Sequence, residues 1–362
     1  MLQRAPFVER NAHVWHNPHH RPSEPGVSLF GKRLGGGTAA LSAEGHLPGF
    51  EGATGWLNSA SLTEADLRGK VVLANFWTYT CINWLRTLGY VRAWAEKYED
   101  QGLVVVGVHT PEFPFETDPD NVREAARDMN VDYPIALDSD YAVWDAFANR
   151  YWPAVYIADA QGEIRHHHFG EGGYAECERV IQQLLREAGG ADIPDDLVAV
   201  APGGFEAQAD WATLESSETY LGYQQAQNFA SPGGAEPDEL HAYVAPDSLK
   251  LDHWSLSGDW TIERRASVLG RADGGIAFRF HARDVNLVLR AQARGTPVPF
   301  RVLIDGRPPG DAHGLDVDDG GHGTVTEPRL YQLIREPGSI ADRTFEITFL
   351  APAVEAYVFT FG

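Results

Sequence analysis

The chain has 362 residues, of which 43% are hydrophobic, and this is enough for two or three domains with sizeable cores. Its formal net charge of −22 repels nucleic-acid phosphates, which argues against a general nucleic-acid-binding function. No stretch approaches the ~18 consecutive apolar residues of a membrane span. The N-terminal residues also lack the apolar segment of a signal peptide, so the sequence as written predicts a soluble, cytoplasmic protein.

Residues 1–45 are predicted to form an extended arm, because they are rich in Pro, Gly and His and show no hydrophobic period. Four histidines cluster in this arm, and metal binding is the alternative interpretation for them. They are His13, His16, His19 and His20. Histidine spacing alone is weak evidence for a metal, so neither a metal site nor a cofactor is predicted.

Residues 46–188 alternate apolar strands with helices. The predicted strands cover residues 70–77, 103–110, 133–137, 154–158 and 164–169. The predicted helices cover residues 81–101, 118–129, 141–149 and 174–187. This order predicts βαβ units and a mainly parallel sheet, with the last two strands in an antiparallel hairpin.

The C-terminal part of the chain has a different pattern. Residues 189–215 are rich in Gly, Pro, Ala and Asp, which is typical of a linker. Residues 216–362 contain short β-patterned runs between turns, with clear alternation in residues 276–281. This spacing predicts an all-β sandwich.

Cys81 stands between a predicted buried strand and a predicted helix. The unpaired backbone N–H groups and the dipole at a helix start favour an anion, so this position predicts a stabilised, nucleophilic thiolate. The alternative is a buried, inert thiol. The second cysteine, Cys177, lies in the predicted final helix, where we expect it to pack against the sheet instead of pairing with Cys81.

Several segments of the chain resemble one known family. They are VVLANFWTYTCIN, GVHTPEF, YPIALDSDYAVWDAF, YWPAVYI and HHFGEG, followed in the C-terminal part by ETYLGYQ, LSGDW and LYQLIRE. Together they resemble the TlpA-type thioredoxin-like domain of the DipZ family and the β-sandwich, similar to carbohydrate-binding modules, that follows it. The resemblance implies an α/β thioredoxin fold followed by an all-β sandwich domain. It also leaves an extracytoplasmic location open, because DipZ-type domains normally work outside the cytoplasm.

The resemblance also implies a thiol redox site, in which the family has a Cys-x-x-Cys motif. Cys81 matches the first, nucleophilic cysteine, while Trp84 occupies the place of the second. Tryptophan cannot resolve a mixed disulfide as a second thiolate does. The implied function is therefore a single-cysteine reaction, through a mixed disulfide or a sulfenic acid, with a protein or small-molecule thiol or disulfide as partner and an external thiol as reductant.

Two further positions refine this implied site. Pro153 matches the cis-proline that faces the active cysteine in thioredoxin folds; an ordinary trans proline is the alternative. Asn75 stands where many thioredoxins keep a buried acid, so Glu112 is our candidate for local proton transfer. The alternative for Glu112 is a solvated loop carboxylate.

Four aromatic residues near these positions are expected to form a rim around the cysteine, and Asn83 is expected to join them in binding substrate. They are Trp77, Tyr79, Trp84 and Trp152. Their alternative role is core or scaffold. If turnover is lost, such a Trp-lined groove predicts a redox-inactive binding module, which is the second functional hypothesis.

Two weaker hypotheses concern the ends of the chain. A metal-dependent enzyme would use the histidine-rich arm, with Cys81 as a soft ligand. The C-terminal sandwich would bind a sugar through exposed aromatic residues, for which the alternative is again a core position. The candidates are Trp254, Trp260, Tyr331 and Tyr357.

Overall fold

The computed structural model describes residues 41–362, so the histidines of the predicted N-terminal arm lie outside the described residues. The described chain divides into two compact units. The first comprises residues 41–78, 90–112 and 123–200, and the second comprises residues 79–89, 113–122 and 201–362. Each unit has its own sheet and its own apolar core.

The first unit contains seven described strands. They are β1 (Gly45–His46), β2 (Gly55–Leu57), β3 (Val71–Trp77), β4 (Leu103–His109), β5 (Ile135–Leu137), β6 (Ala154–Ala158) and β7 (Glu163–Phe169). The described chain also has five α-helices. They are α1 (Glu64–Leu67), α2 (Ile82–Tyr98), α3 (Pro119–Asp128), α4 (Ala142–Ala146) and α5 (Tyr174–Glu187).

The sheet of the first unit has the order β1-β7-β6-β3-β4-β5-β2. Its central strand β3 is buried along its whole length, as its unbroken apolar run predicts. Only β3–β4 and β4–β5 pair in parallel, while the other pairs are antiparallel. The prediction of a mainly parallel sheet is therefore wrong, because β6 runs opposite to β3 and the edge strands β1 and β2 also pair antiparallel. The predicted antiparallel hairpin of β6 and β7 is confirmed.

Helix α2 follows the end of β3 after a four-residue connection. Its apolar residues Leu85, Leu88, Val91 and Trp94 are all buried and recur at every third residue. This spacing places them on one stripe of the helix and explains why the segment folds as a helix. No helix within residues 41–362 is long and apolar enough to cross a membrane.

The second unit is built from β-strands. The described ones are β8 (Thr219–Tyr220), β9 (Leu240–Tyr243), β10 (Trp254–Ile262), β11 (Ser267–Leu269), β12 (Gly274–Phe280), β13 (Asp284–Ala291), β14 (Val298–Ile304), β15 (His322–Val325), β16 (Arg329–Arg335), β17 (Arg343–Phe349) and β18 (Val354–Phe361). The main path runs β15-β14-β17-β12-β10-β11-β18-β13-β16, while β8 pairs with β18 and β9 with β10. The all-β prediction is confirmed.

Strand β10 joins the two halves of this curled sheet. Its first residues, 254–257, pair with β12, whereas residues 258–262 pair with β9 and β11. Gly258 lies at the change of partner with a φ of 90°, and an added Cβ would lie 2.9 Å from the Gly274 Cα. Glycine is therefore required where the strand passes from one half of the sheet to the other.

The core of the second unit is rich in aromatic side chains. The four residues proposed from the sequence as sugar ligands all belong to the buried set, at 0–4% exposure. They are Trp254, Trp260, Tyr331 and Tyr357. The expectation of an exposed sugar platform built from them is therefore wrong. Trp254, Trp260 and Tyr331 fill the apolar core, and Tyr357 is covered by Phe113 and Phe115.

Candidate functional site

Cys81 is the residue immediately before helix α2. Strand β3 ends at Trp77, and the backbone carbonyl of Cys81 accepts the Leu85 N–H at 3.0 Å, so Cys81 occupies the N-cap position. Its side chain is half-buried. The predicted strand–cysteine–helix junction is confirmed, and it places the sulfur-bearing residue at the positive end of the helix dipole.

The residue three positions after Cys81, Trp84, is buried with 0% exposure. Trp77 is buried to the same degree, and Tyr79 is 2% exposed. These three rings therefore belong to the interior and do not form the exposed rim expected from the sequence. Large apolar rings gain more from removal from water than from lining an open groove.

Trp152, the fourth residue of the expected rim, is half-buried. Its indole N–H donates to the Thr110 carbonyl at 3.1 Å, and its ring packs against Trp144 with a centroid distance of 4.3 Å. The peptide bond between Trp152 and Pro153 is cis, as the resemblance implied. Pro153 is itself buried, and its carbonyl accepts the Gly170 N–H at 2.8 Å.

Asn83 lies half-buried in the first turn of α2. Its side-chain oxygen accepts a long hydrogen bond of 3.5 Å from the Arg86 guanidinium. Arg86 is buried and also donates to the carbonyl of Phe361 at 3.1 Å, within the second unit. Asn83 is thus tied to a buried cation of its own helix.

The two carboxylates of the segment after β4 differ in their surroundings. Glu112, the acid chosen from the sequence, is half-buried. Glu116, which the sequence analysis missed, is 1% exposed and accepts the Thr80 hydroxyl at 2.6 Å and the Phe113 N–H at 2.8 Å. Thr80 directly precedes Cys81, so a buried carboxylate contacts the residue next to the candidate cysteine.

The sequence signal for Glu116 was weak. It lies in an irregular segment with a 3-10 turn at Pro114–Thr117, where no helical or strand period distinguishes a buried carboxylate from a solvated one. The one available hint was its position directly after the apolar residues of Phe113-Pro-Phe115.

The second cysteine lies in a different setting. Cys177 is buried in α5, with its Sγ 3.6 Å from the His166 Nε2. Burial raises the pKa of the Cys177 thiol to about 12, so this thiol stays protonated near neutral pH. Neither Cys81 nor Cys177 forms a disulfide. Between residues 41 and 362, no group of three or more His, Cys, Asp or Glu side chains is arranged to hold a metal ion.

Comparison with known proteins agrees with the fold. The AhpC/TSA family model matches residues 44–167, and the model described as thioredoxin-like C-terminal domain matches residues 216–362. Thiol-disulfide oxidoreductase YkuV of Bacillus subtilis is 35% identical over 141 residues, which cover 39% of this chain and 95% of YkuV. Protein DipZ of Mycobacterium tuberculosis is 38% identical over 276 residues, or 75% of this chain. The chain belongs to the thioredoxin-like family, in the DipZ-type combination with a C-terminal domain.

This thioredoxin-like chain matches only 38% of the length of DipZ. Among solved structures, the solution structure of a thioredoxin-like protein in the oxidised form is 35% identical, with a TM-score of 0.36, and the match covers 40% of this chain and 96% of that one. The relatives of the thioredoxin-like part include proteins named thiol-disulfide oxidoreductases. The chain thus contains a thioredoxin-like part whose relatives include thiol-disulfide oxidoreductases.

Proposed function

We propose that this thioredoxin-like protein carries out thiol–disulfide exchange through Cys81 alone. The observation that carries the proposal is the pairing of a half-buried cysteine at the N-cap of α2 with a buried tryptophan in the resolving position. A helix N-terminus favours the thiolate, which is the nucleophile in disulfide exchange. Cys177 is not part of the proposed reaction, because its side chain is buried and burial raises the pKa of its thiol to about 12.

The reaction is a pair of balanced exchanges. The Cys81 thiolate attacks one sulfur of a substrate disulfide, forms a mixed disulfide and releases the other sulfur as a thiolate. An external thiolate then attacks the substrate sulfur, forms a new disulfide with it and returns Cys81 as a thiolate. A peroxide can start the same cycle by oxidising Cys81 to a sulfenic acid, which condenses with an external thiol and releases water.

The partners proposed for this reaction are a protein or small-molecule disulfide and an external thiol reductant. The names of YkuV and ResA, thiol-disulfide oxidoreductases of Bacillus subtilis, support this class of partner. No sugar ligand is proposed for the C-terminal part, because the aromatic residues that suggested one are buried.

The two other hypotheses have less support. A redox-inactive binding module needs a Trp-lined groove, yet Trp77 and Trp84 are buried. A metal-dependent enzyme would use histidines that lie outside the described residues. The half-buried position of Cys81 at a helix start favours the redox proposal over the binding module, and the metal hypothesis stays a prediction.

The proposal is tested with Cys177→Ser, which leaves Cys81 as the one cysteine of the chain, and with Cys81→Ser as its matched control. We expect an aromatic disulfide reagent to release one equivalent of aromatic thiolate from Cys177→Ser and to leave one equivalent bound, removable by added thiol. The rate of alkylation should inflect at a pH well below the free-thiol value of ~8.5. Mass spectrometry and absorbance read both quantities.

The control variant Cys81→Ser should react only after denaturation, because Cys177 is buried. An ordinary inflection for Cys81, or a labelled cysteine that added thiol cannot release, would sink the single-cysteine proposal. The binding-module hypothesis would then become the working one.

A further inference from the structure

The segment after β4 packs on the residues that precede Cys81. The Phe115 ring lies 6.2 Å from the Tyr79 ring, and Glu116 accepts the Thr80 hydroxyl at 2.6 Å. All of these residues belong to the second compact unit. The candidate cysteine is therefore preceded by two residues that this segment holds directly.

Strand β18 holds the same segment from its other side. The Tyr357 ring lies 4.9 Å from the Phe113 ring and 5.0 Å from the Phe115 ring. Its hydroxyl donates to Glu355, which pairs with Arg290 of strand β13 at 3.2 Å. These five residues are part of the same unit, so Tyr357, more than 200 positions later in the chain, holds the loop that contacts Thr80.

The two hydrogen bonds of Glu116 fix the direction of the Thr80 hydroxyl. One carboxylate oxygen accepts from the Phe113 N–H, and the other accepts from Thr80. A carboxylate can only accept, so the Thr80 proton is committed to Glu116 and is not available to any other acceptor. Buried hydrogen bonds to a charged group are among the stronger ones, which makes this orientation durable.

Several charged and titratable groups surround Tyr79, the residue before Thr80. The charged and titratable groups that act on the neighbouring Tyr79 are Glu116, Asp118, Arg290 and Tyr357. Burial first, and then the Glu116 carboxylate, hold the pKa of Tyr79 far above its ordinary value. Burial likewise raises the pKa of Tyr357, with Glu355 adding to the effect. Both phenols are therefore neutral at physiological pH, and Glu116 is a buried acid in contact with this segment.

We propose that Glu116 is a positioning residue of the cysteine site, held in place by Tyr357, and that it controls the reactivity of Cys81 through the Thr80 hydroxyl. The inference rests on the proposed single-cysteine function. It makes the loop at residues 113–117 and strand β18 part of the site that tunes Cys81. In this chain Asn75 occupies the strand position of the usual buried acid. The buried carboxylate is supplied instead by Glu116, from the loop.

The test compares Glu116→Gln with Glu239→Gln in the full-length Cys177→Ser background. Glu239 is an exposed carboxylate of the same unit, so it controls for the loss of one charge. In Glu116→Gln, the amide oxygen must face the Phe113 N–H, so the amide N–H₂ faces Thr80 and releases the hydroxyl proton. We expect the inflection of Cys81 alkylation to move to lower pH and the rate at pH 6 to rise at least threefold.

Thr80→Val and Thr80→Ser test the same contact from the other side. Valine removes the donor and leaves the carboxylate beside the cysteine segment, so the inflection should move to higher pH. Serine keeps the donor and should leave the inflection unchanged. Opposite shifts for Glu116→Gln and Thr80→Val are not expected from general loosening of the loop, which thermal melts measure separately. If Glu116→Gln fails to fold, the comparison of Thr80→Val with Thr80→Ser still decides the test.

Unchanged inflections in Glu116→Gln and Thr80→Val, with Cys81 still reactive, would reduce Glu116 to a structural residue and leave the proposed function intact. If the inflection of Cys81 alkylation in Cys177→Ser itself lies at the free-thiol value, the proposed function is overturned instead. The two failures are therefore distinguishable in one set of alkylation profiles.

Discussion

Trp84 is the residue that separates this chain from a two-cysteine thioredoxin, and its burial has a direct energetic consequence. The side chain is 0% exposed in the first turn of α2. Replacing a large buried ring by a small side chain removes its apolar contacts and leaves a cavity. Trp84 therefore has two effects: it replaces the second thiol, and it packs the interior next to the site.

We predict that Trp84→Cys creates a Cys-x-x-Cys spacing but destabilises the protein by about 3–5 kcal/mol. Trp84→Phe, which keeps an aromatic ring, should cost clearly less. Urea denaturation in the presence of reductant measures both variants. A Trp84→Cys protein as stable as the parent would show that the ring is not tightly packed, and would contradict the burial described above.

At the level of elements, Asp138 links two parts of the first unit. Its carboxylate accepts the Val143 and Trp144 N–H groups of helix α4, each at 2.9 Å, and the Thr110 hydroxyl at 3.0 Å. It thereby caps α4 and holds the end of β4. Burial raises the pKa of Asp138 to about 6, although these hydrogen bonds oppose the rise.

This shift predicts a pH dependence with a definite sign. The pKa of Asp138 in the folded protein, about 6, lies above its ordinary value of 3.8, so protonation of this side chain stabilises the folded state. This stabilisation is fully present below about pH 4 and is lost as the pH rises through 6. We expect the free energy of unfolding of the parent, relative to Asp138→Asn, to fall by about 2–3 kcal/mol between pH 4 and 7. Chemical denaturation at several pH values measures it. A parent that gains stability over this range would contradict the prediction.

The prediction of elements from the sequence succeeded where the hydrophobic pattern is local. Strand β6 and helix α5 have the predicted bounds, because an unbroken apolar run and an amphipathic period end sharply there. Strand β11, at Ser267–Leu269, was missed because three residues are too few for a recognisable alternation. The direction of β6 was missed because strand direction depends on where the connecting chain returns to the sheet, which hydropathy does not encode.

At the scale of the whole molecule, Glu178 joins distant parts of the first unit. This buried carboxylate of α5 accepts hydrogen bonds from the Trp94 indole at 3.1 Å, the Tyr98 hydroxyl at 2.8 Å and the Val198 N–H at 2.9 Å. It also pairs with Lys97 at 3.1 Å. A single side chain thus ties the end of α2 and the segment after α5 to one point.

We predict that Glu178→Gln destabilises the protein by about 3 kcal/mol. The amide has one acceptor oxygen where the carboxylate accepts from several donors, and the substitution also removes the buried charged partner of Lys97. Glu176→Gln, at an exposed position of the same helix, should change stability by less than about 0.5 kcal/mol. Urea denaturation of both variants gives the comparison. Equal stabilities for the two variants would show that the network contributes little.

Local sequence patterns predicted the order of the strands and helices between residues 70 and 187, the all-β nature of the C-terminal part and the position of Cys81 before a helix. These features depend on local periodicity and on residue identity, as does the presence of tryptophan where a second cysteine would stand. The burial of Trp77, Tyr79 and Trp84 and the contact of Glu116 with Thr80 are visible in the folded protein alone. Burial and hydrogen bonding are set by residues far apart in the chain, so no local pattern specifies them.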